Sequence, residues 1–249
     1  MNIDLKIAIC IPARYSSKRL PAKLLAHFNN KTTSELTYSN IIKSNVVKKE
    51  DIYIFYEKNN LLKNHFKTFC DNLIETEKAE CGTERIAKNL NKLPKKYDII
   101  CIVQCDEPFI NSDNIDFCIN QHIKNLGEDF FFSSIHTKVN EITDNSNVKL
   151  VLVNNSNVLY YSRVNIPGNK FKNSKEIIHN VACGIYVYNY DNLKKFPDIS
   201  DTELYLKEDI EQLKILEHGF KIKSYEAPYF VEISLDTQEN YDYLIEKYF

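Results

Sequence analysis

The segment LKIAIC (5–10), closed by Pro12, is apolar at nearly every position and reads as a buried strand. KTTSELTYSNIIKS, from Lys31, sets Thr32 three residues before Glu35, a capping-box pattern opening a helix. DIYIFY (51–56) reads as a strand and NLLKNHFKTFCDNL (60–73) as an amphipathic helix. GTERIAKNLNKL (82–93) reads as a helix with Thr83 as its cap. YDIICIVQ (97–104) is a fully buried strand, SDNIDFCINQHIKN (112–125) a helix capped by Ser112, and FFFSSIHTKV (130–139) a strand. Such alternation predicts an α/β protein with a mixed, mostly parallel sheet and helices on both faces. The second half differs. VKLVLVNNSNVLYYSRVNIP (148–167) alternates and turns at Asn154–Asn155, so 138–180 reads as a small antiparallel insertion. ACGIYVYN (182–189) is a strand, and TELYLKEDIEQLKILEHG (202–219) a single long helix stopped by Gly219. KIKSYEAPYF (221–230) and a strand before Asp236 follow. DTQENYDYLIEKYF closes as a helix, boxed by Asp236 and Glu239.

Length and composition narrow the classes. At 249 residues the chain is long enough for one domain with an insertion, and large enough to fold without staples. A net charge of −2 with no basic block excludes a nucleic-acid footprint. The seven cysteines are odd in number and lack C-x-x-C spacing, which points to reduced core thiols and a cytoplasmic protein rather than to disulfides or zinc. No secretion signal is expected at the amino terminus, and no apolar run is long enough to span a membrane.

Chemistry concentrates at strand exits, where ligands of open α/β sheets bind. IPARYSSKRLPAK (11–23) places Arg14, Lys18, Arg19 and Lys23 directly after the first strand. By composition it is a solvated charged turn. After a buried strand, and stiffened by two prolines, it also suits a triphosphate held by side chains, Ser17 adding a hydroxyl. It is neither a Walker loop nor G-x-G-x-x-G. Gln104-Cys105-Asp106-Glu107-Pro108 leaves the most apolar strand, and Asp106 either caps its turn or anchors a Mg²⁺ that bridges phosphates. Asp236 carries the same pair of readings, helix cap or metal ligand. Arg85 is a surface ion pair or a nucleotide contact. Glu211 and Gln212 lie on a helix whose Leu204, Ile210, Leu213 and Leu216 form the core face.

In order, these segments resemble the CMP-Kdo synthetases, the cytidylyltransferases that activate 3-deoxy-manno-octulosonate (Kdo). IPARYSSKRLPAKLL is similar to the family's PARxxSxRLPxKxL, CGTERIA to SGTERxA and VQCDEPFI to QGDEPxI. YYSRVNIP is similar to YFSRxxIP, GIYVY to GIYxY, IEQLKILEHG to LEQLRxLExG and SLDTQEN to VDTPEDL. The resemblance covers residue 7 to the end and implies a nucleotide-diphospho-sugar-transferase-like fold. It implies CTP with its triphosphate under the catalytic cations Arg14, Arg19 and Lys23. The rest of the nucleotide falls to Pro12, Ala13, Ser17, Cys81, Arg85 and Gln104. Asp106 and Asp236 would hold Mg²⁺, and Arg163, Tyr186, Glu211 and Gln212 the ulosonic acid. A homodimer through 138–180 is also implied. Cys105 and Cys81 replace the family's glycine and serine, Ala182 a histidine and Tyr205 a glutamate. Those last two changes fall at the sugar, so a different ulosonic or nonulosonic acid, such as 8-amino-Kdo, is the alternative substrate. A glycosyltransferase would show D-x-D, which QCDEP lacks, and a non-catalytic nucleotide-binding paralogue would not be expected to retain Arg14, Lys23, Asp106 and Asp236 together.

Overall fold

Strand β1 (Ile7–Ala13) sends Ala8 and Cys10 into one hydrophobic core and Ile9 and Ile11 into another, so both sheet faces are covered. The computed structural model describes residues 5–17, 19–140, 146–154, 156–168 and 178–249. Lys18, Asn155 and much of the expected insertion, 141–145 and 169–177, lie outside the described residues. A two-stranded ribbon, β2 (His27–Phe28) and β3 (Lys31–Thr32), leads into helix α1 (Thr33–Ile41), whose Thr32–Glu35 capping box forms as the spacing predicts. Then come β4 (Ile52–Glu57), α2 (Asn60–Phe66), β5 (Leu73–Thr76), α3 (Gly82–Ala87), β6 (Ile99–Val103) and α4 (Ser112–Lys124). Strands β7 (Phe132–Val139), β8 (Lys149–Val153), β9 (Asn157–Ser162) and β10 (His179–Asn189) follow. Helices α5 (Tyr190–Lys195), α6 (Glu203–Glu208) and α7 (Glu211–Glu217), strand β11 (Ile222–Glu226) and helix α8 (Gln238–Tyr248) complete the order.

Among the described residues nine strands form one sheet, ordered β5-β4-β1-β6-β10-β7-β11-β9-β8. The sheet is mixed. Parallel pairing holds across β5-β4-β1-β6 and between β7 and β11. β10 runs antiparallel to β6, β7 and β8, so the expected predominance of parallel strands stops at β6. Helices α3, α5 and α7 pack on one face, and α1, α2 and α4 on the other. The 148–167 segment does form an antiparallel hairpin, β8 with β9.

Several boundaries differ from the sequence pattern. The 60–73 segment is helical only to Phe66, because Asn72 donates to the carbonyls of Glu50 and Ile52 and turns the chain into β5. The 202–219 helix is two helices. Asp209 takes a left-handed conformation (φ 53°) between them, and Gly219 (φ 80°) ends the second. The amino-terminal caps are Cys81 for α3, Asn111 for α4 and Thr237 for α8, against the expected Thr83, Ser112 and Asp236: two residues earlier, one earlier and one later. The α8 box is Thr237 with Asn240. Asp236 is thereby released from capping. No strand precedes it; the chain there is irregular.

His122 on α4 shows how polar groups are accommodated beside the sheet. It is fully buried, and its Nε2–H donates to Asn189 Oδ1 (3.0 Å), which leaves Nδ1 to accept from the Ser133 hydroxyl at 3.1 Å. Burial pushes its pKa down to about 4, although the Asn189 bond works the other way. A depressed folded-state pKa gives stability that is complete above the unfolded value near 6.5 and is lost as pH falls towards 4. Urea unfolding between pH 7 and 4.5 should therefore show wild type losing up to about 3 kcal/mol that a His122→Gln variant does not lose. Parallel pH profiles for the two proteins would refute the assignment.

Candidate active site

The carboxyl ends of β1 and β6 open into a cavity of about 320 Å³. At its floor three distant segments meet. Lys23 follows Ala22, which sits in the left-handed region (φ 54°), and begins a short 3₁₀ turn, Lys23–Leu25. The Ser34 hydroxyl pins that turn by donating to the Leu24 carbonyl at 2.9 Å. Asp106 lies just past β6, in a turn braced by the Thr37 hydroxyl, which donates to the Cys105 carbonyl at 3.0 Å. Asp236 is brought alongside because Leu235, fully buried against Phe28 and Leu244, donates its N–H to the Asp106 carbonyl at 2.9 Å. The Lys23 ammonium then bonds both carboxylates, Asp106 directly and Asp236 at 2.7 Å. Arg19 adds a second cation to Asp236 at 3.1 Å. Two acids 130 positions apart in the chain thus share one lysine.

The electrostatics follow from that contact. Burial would raise the Asp236 carboxyl, but Lys23 and then Arg19 hold it below the ordinary carboxylate range. Burial would lower Lys23, yet Asp106 and Asp236 raise it, so the ammonium stays charged. Glu107 behaves oppositely. Burial, reinforced by the charges of Asp106 and Asp236, pushes it up to about 8, while the Ser234 hydroxyl donates to it at 2.7 Å.

Most of the residues picked out from sequence line this one cavity. Pro12, Arg14, Arg19, Lys23, Cys81, Arg85, Gln104, Asp106 and Asp236 occupy the β1/β6 side. Arg163, Tyr186, Glu211 and Gln212 occupy the other, towards β9, β10 and α7. Ala13 and Ser17 do not line it. Ala13 is buried in the core, and the Ser17 hydroxyl accepts from the Leu20 N–H at 3.4 Å within the loop. Arg85 is almost wholly buried, its guanidinium donating to the Thr76 hydroxyl (2.6 Å) and the Glu77 carbonyl (3.1 Å). Arg163 donates to the carbonyls of Glu208 (2.7 Å), Asp209 (2.9 Å) and Ser146 (3.2 Å), filling the break between α6 and α7. Glu211 is not on a wet helix face: its Oε1 accepts from the Thr83 hydroxyl, and its Oε2 is buried with no hydrogen-bond partner. Ala182 and Tyr205 also line that second side.

Glu107, Ser234 and Gly184 were not singled out from the sequence. Only the adjacency of Glu107 to Asp106 pointed to the first. Gly184 is required by close approach, since a Cβ there would fall 2.5 Å from Glu107 Oε1 and 3.1 Å from the Gln104 side chain.

Comparison with known proteins gives the family. Residues 8–222 match the family described as Cytidylyltransferase. This chain belongs to the cytidylyltransferase family. It is 34% identical over 223 residues to a 3-deoxy-manno-octulosonate cytidylyltransferase of Protochlamydia amoebophila, covering 86% of this chain and 83% of that one. An 8-amino-3,8-dideoxy-manno-octulosonate cytidylyltransferase of Shewanella pealeana is 31% identical over 224 residues, covering 88% and 89%. The fold matches a solved CMP:2-keto-3-deoxy-manno-octonic acid synthetase complexed with CTP at a TM-score of 0.85 and 24% identity, over 97% of this chain and 98% of that one. This cytidylyltransferase is accordingly a nucleotidyl-transferring enzyme, and its cavity is the place to look for the reaction.

The Gly184 contact gives a direct test of how tightly the floor is packed. Gly184→Ala should displace Glu107 and lower stability by about 1–3 kcal/mol, the usual range for overpacking. Thermal unfolding measures it, and an unchanged midpoint would mean that the β10–Glu107 contact is looser than described.

Proposed function

We propose that this cytidylyltransferase couples CTP to a 3-deoxy-ulosonic acid, Kdo or a close analogue, giving the CMP-sugar and pyrophosphate. What carries the reading is the convergence of Lys23, Arg19, Asp106 and Asp236 at the mouth of β1 and β6, together with Arg14, inside a family whose relatives are named for this activity. We read residues 1–249 as one domain, with 138–180 on the sugar side and pairing two copies into a homodimer, and the enzyme as cytoplasmic. No helix among the described residues is long and apolar enough to cross a membrane.

Mg²⁺ is the proposed cofactor. The donor set fits a hard divalent ion: two carboxylates that already converge on one cationic centre, leaving further positions for substrate oxygens. Asp106 and Asp236 would hold it, and when bound it would neutralise charge on the phosphoryl oxygens of CTP. The remaining work falls to the chain. Arg14 and Arg19, standing at the cavity rim, bind the triphosphate through planar forks, and Lys23 supplies a point charge. Pro12, Cys81, Arg85 and Gln104 seat the rest of the nucleotide. Arg163, Tyr186, Glu211 and Gln212 orient the sugar acid so that its anomeric oxygen faces the α-phosphorus. That oxygen forms the new P–O bond as the bond to the β-phosphate oxygen breaks, and pyrophosphate departs. Charge grows on the phosphoryl oxygens along this path, so the fixed cations favour the transition state over the ground state. In-line positioning is the other large contribution.

A second substrate, 8-amino-Kdo, is favoured by one observation. Ala182 and Tyr205, which replace the family's histidine and glutamate, line the wall proposed for the sugar, while Arg14, Arg19, Lys23, Asp106 and Asp236 are kept at the other end of the cavity.

Pyrophosphate release from CTP should appear with Kdo or its 8-amino analogue and be weak with nonulosonic acids. Silence with every ulosonic acid tried would refute the reading. Asp106→Asn should reduce the rate on the order of 100-fold or more with the fold retained by circular dichroism. Ala182→His should shift the ratio of kcat/KM towards Kdo and away from the 8-amino sugar; an unmoved ratio removes the second reading.

A further inference from the structure

The cationic group between Asp106 and Asp236 belongs to the protein itself. Lys23 is nine-tenths buried, its Nζ is bonded to both acids, and Asp236 has a further partner in Arg19. The arrangement is held from the backbone side. Ala22 occupies the left-handed region, which a residue with a Cβ adopts only where its surroundings fix it, and the Leu25 N–H closes the turn on the Ala22 carbonyl at 2.8 Å. Two half-buried carboxylates held side by side repel each other. The ammonium removes that repulsion. It also takes up the carboxylate oxygens that a metal ion would need.

We propose that Lys23 is an internal place-holder for the divalent ion: in the nucleotide-free enzyme its ammonium occupies the Asp106–Asp236 pair, and the triphosphate of CTP, by offering it stronger anionic partners, draws it off and opens the pair to metal. This rests on the reading of Asp106 and Asp236 as the Mg²⁺ ligands. Metal and nucleotide then bind with positive linkage, because each is favoured by the Lys23 position that the other requires. Free enzyme is kept from holding Mg²⁺ without its substrate. The same side chain serves twice, neutralising the acids before binding and the phosphates after it. Arg19 does not substitute for it, since it reaches only Asp236 and its side chain is half exposed.

The test is metal affinity in the absence of nucleotide, with no turnover involved. Mn²⁺ binding to the nucleotide-free protein is followed by the loss of the free-ion electron paramagnetic resonance signal for wild type, Lys23→Met and Lys23→Gln. The expected result is weak binding by wild type and a gain of roughly 5–150-fold in both variants, the span in which such couplings usually fall. Mg²⁺ should likewise raise the unfolding midpoint of the variants and leave that of wild type nearly unmoved. Adding Asp106→Asn to Lys23→Met should abolish the gain. Wild-type affinity equal to that of both folded Lys23 variants would overturn the place-holder. A gain that survives Asp106→Asn would overturn both it and the metal assignment of the acid pair. Circular dichroism of each variant without metal establishes that it is folded, and two substitutions of different polarity guard against a packing artefact in either one.

Discussion

A lysine shared between two acids holds the candidate active site of this cytidylyltransferase together. Lys23 comes from the loop after β1, Asp106 from the exit of β6 and Asp236 from the chain leading into α8. No local rule brings these three together. The loop is drawn inwards by the ion pair, the β6 exit is braced by α1 through Thr37, and the last segment is locked to the Asp106 carbonyl by Leu235. The contact is mostly out of water, where such an arrangement is costly unless each charge is matched. Here each is: both acids meet a cation, and the third carboxyl at the floor, Glu107, is pushed up towards neutrality instead of adding another charge.

The sheet explains why the pieces arrive at one edge. β1, β4, β5 and β6 run parallel, so their carboxyl ends open on the same side, and the loops that follow β1 and β6 are neighbours because the strands are. β10 enters antiparallel beside β6 and delivers Ala182, Gly184 and Tyr186 to the same cavity from the opposite chain direction. One side of the cavity is thus built by the parallel half and the other by the antiparallel half with α7. One wall can therefore vary without disturbing the other: Ala182 and Tyr205 lie on the antiparallel side, and the cations and acids gather on the parallel side.

Arg163 and Glu211 show the wall next to β9, β10 and α7 being built by departures from regular structure. The left-handed Asp209 interrupts what the hydrophobic spacing presents as one helix. The carbonyls exposed there are the ones that hold the Arg163 guanidinium. The same interruption starts α7 at Glu211 and points its carboxylate at Thr83 on α3, leaving one oxygen buried and without a partner. A buried acceptor of that kind stands ready for a hydroxyl or ammonium donor from a ligand.

The sequence by itself determined the strands and helices that flank the site, the two-faced burial of β1, the capping box at Thr32, and the ordered motifs that carry the family and many of the cavity residues. These are local properties, set by periodicity, caps and short patterns that need no knowledge of distant partners. Only the tertiary structure decided the remainder. It ended the 60–73 helix at Phe66 because Asn72 found carbonyls at the start of β4, and it turned β10 against β6, which no alternation of apolar residues encodes. It moved the α8 cap from Asp236 to Thr237, freeing a carboxylate that the spacing had placed in a box. It withdrew Ala13 and Ser17 from the cavity and supplied Glu107, Ser234 and Gly184 in their place. The physical reason is common to all of these: each outcome turns on a hydrogen bond, an ion pair or a close contact between residues far apart in the chain, and such energies exist only once the fold has brought the partners together.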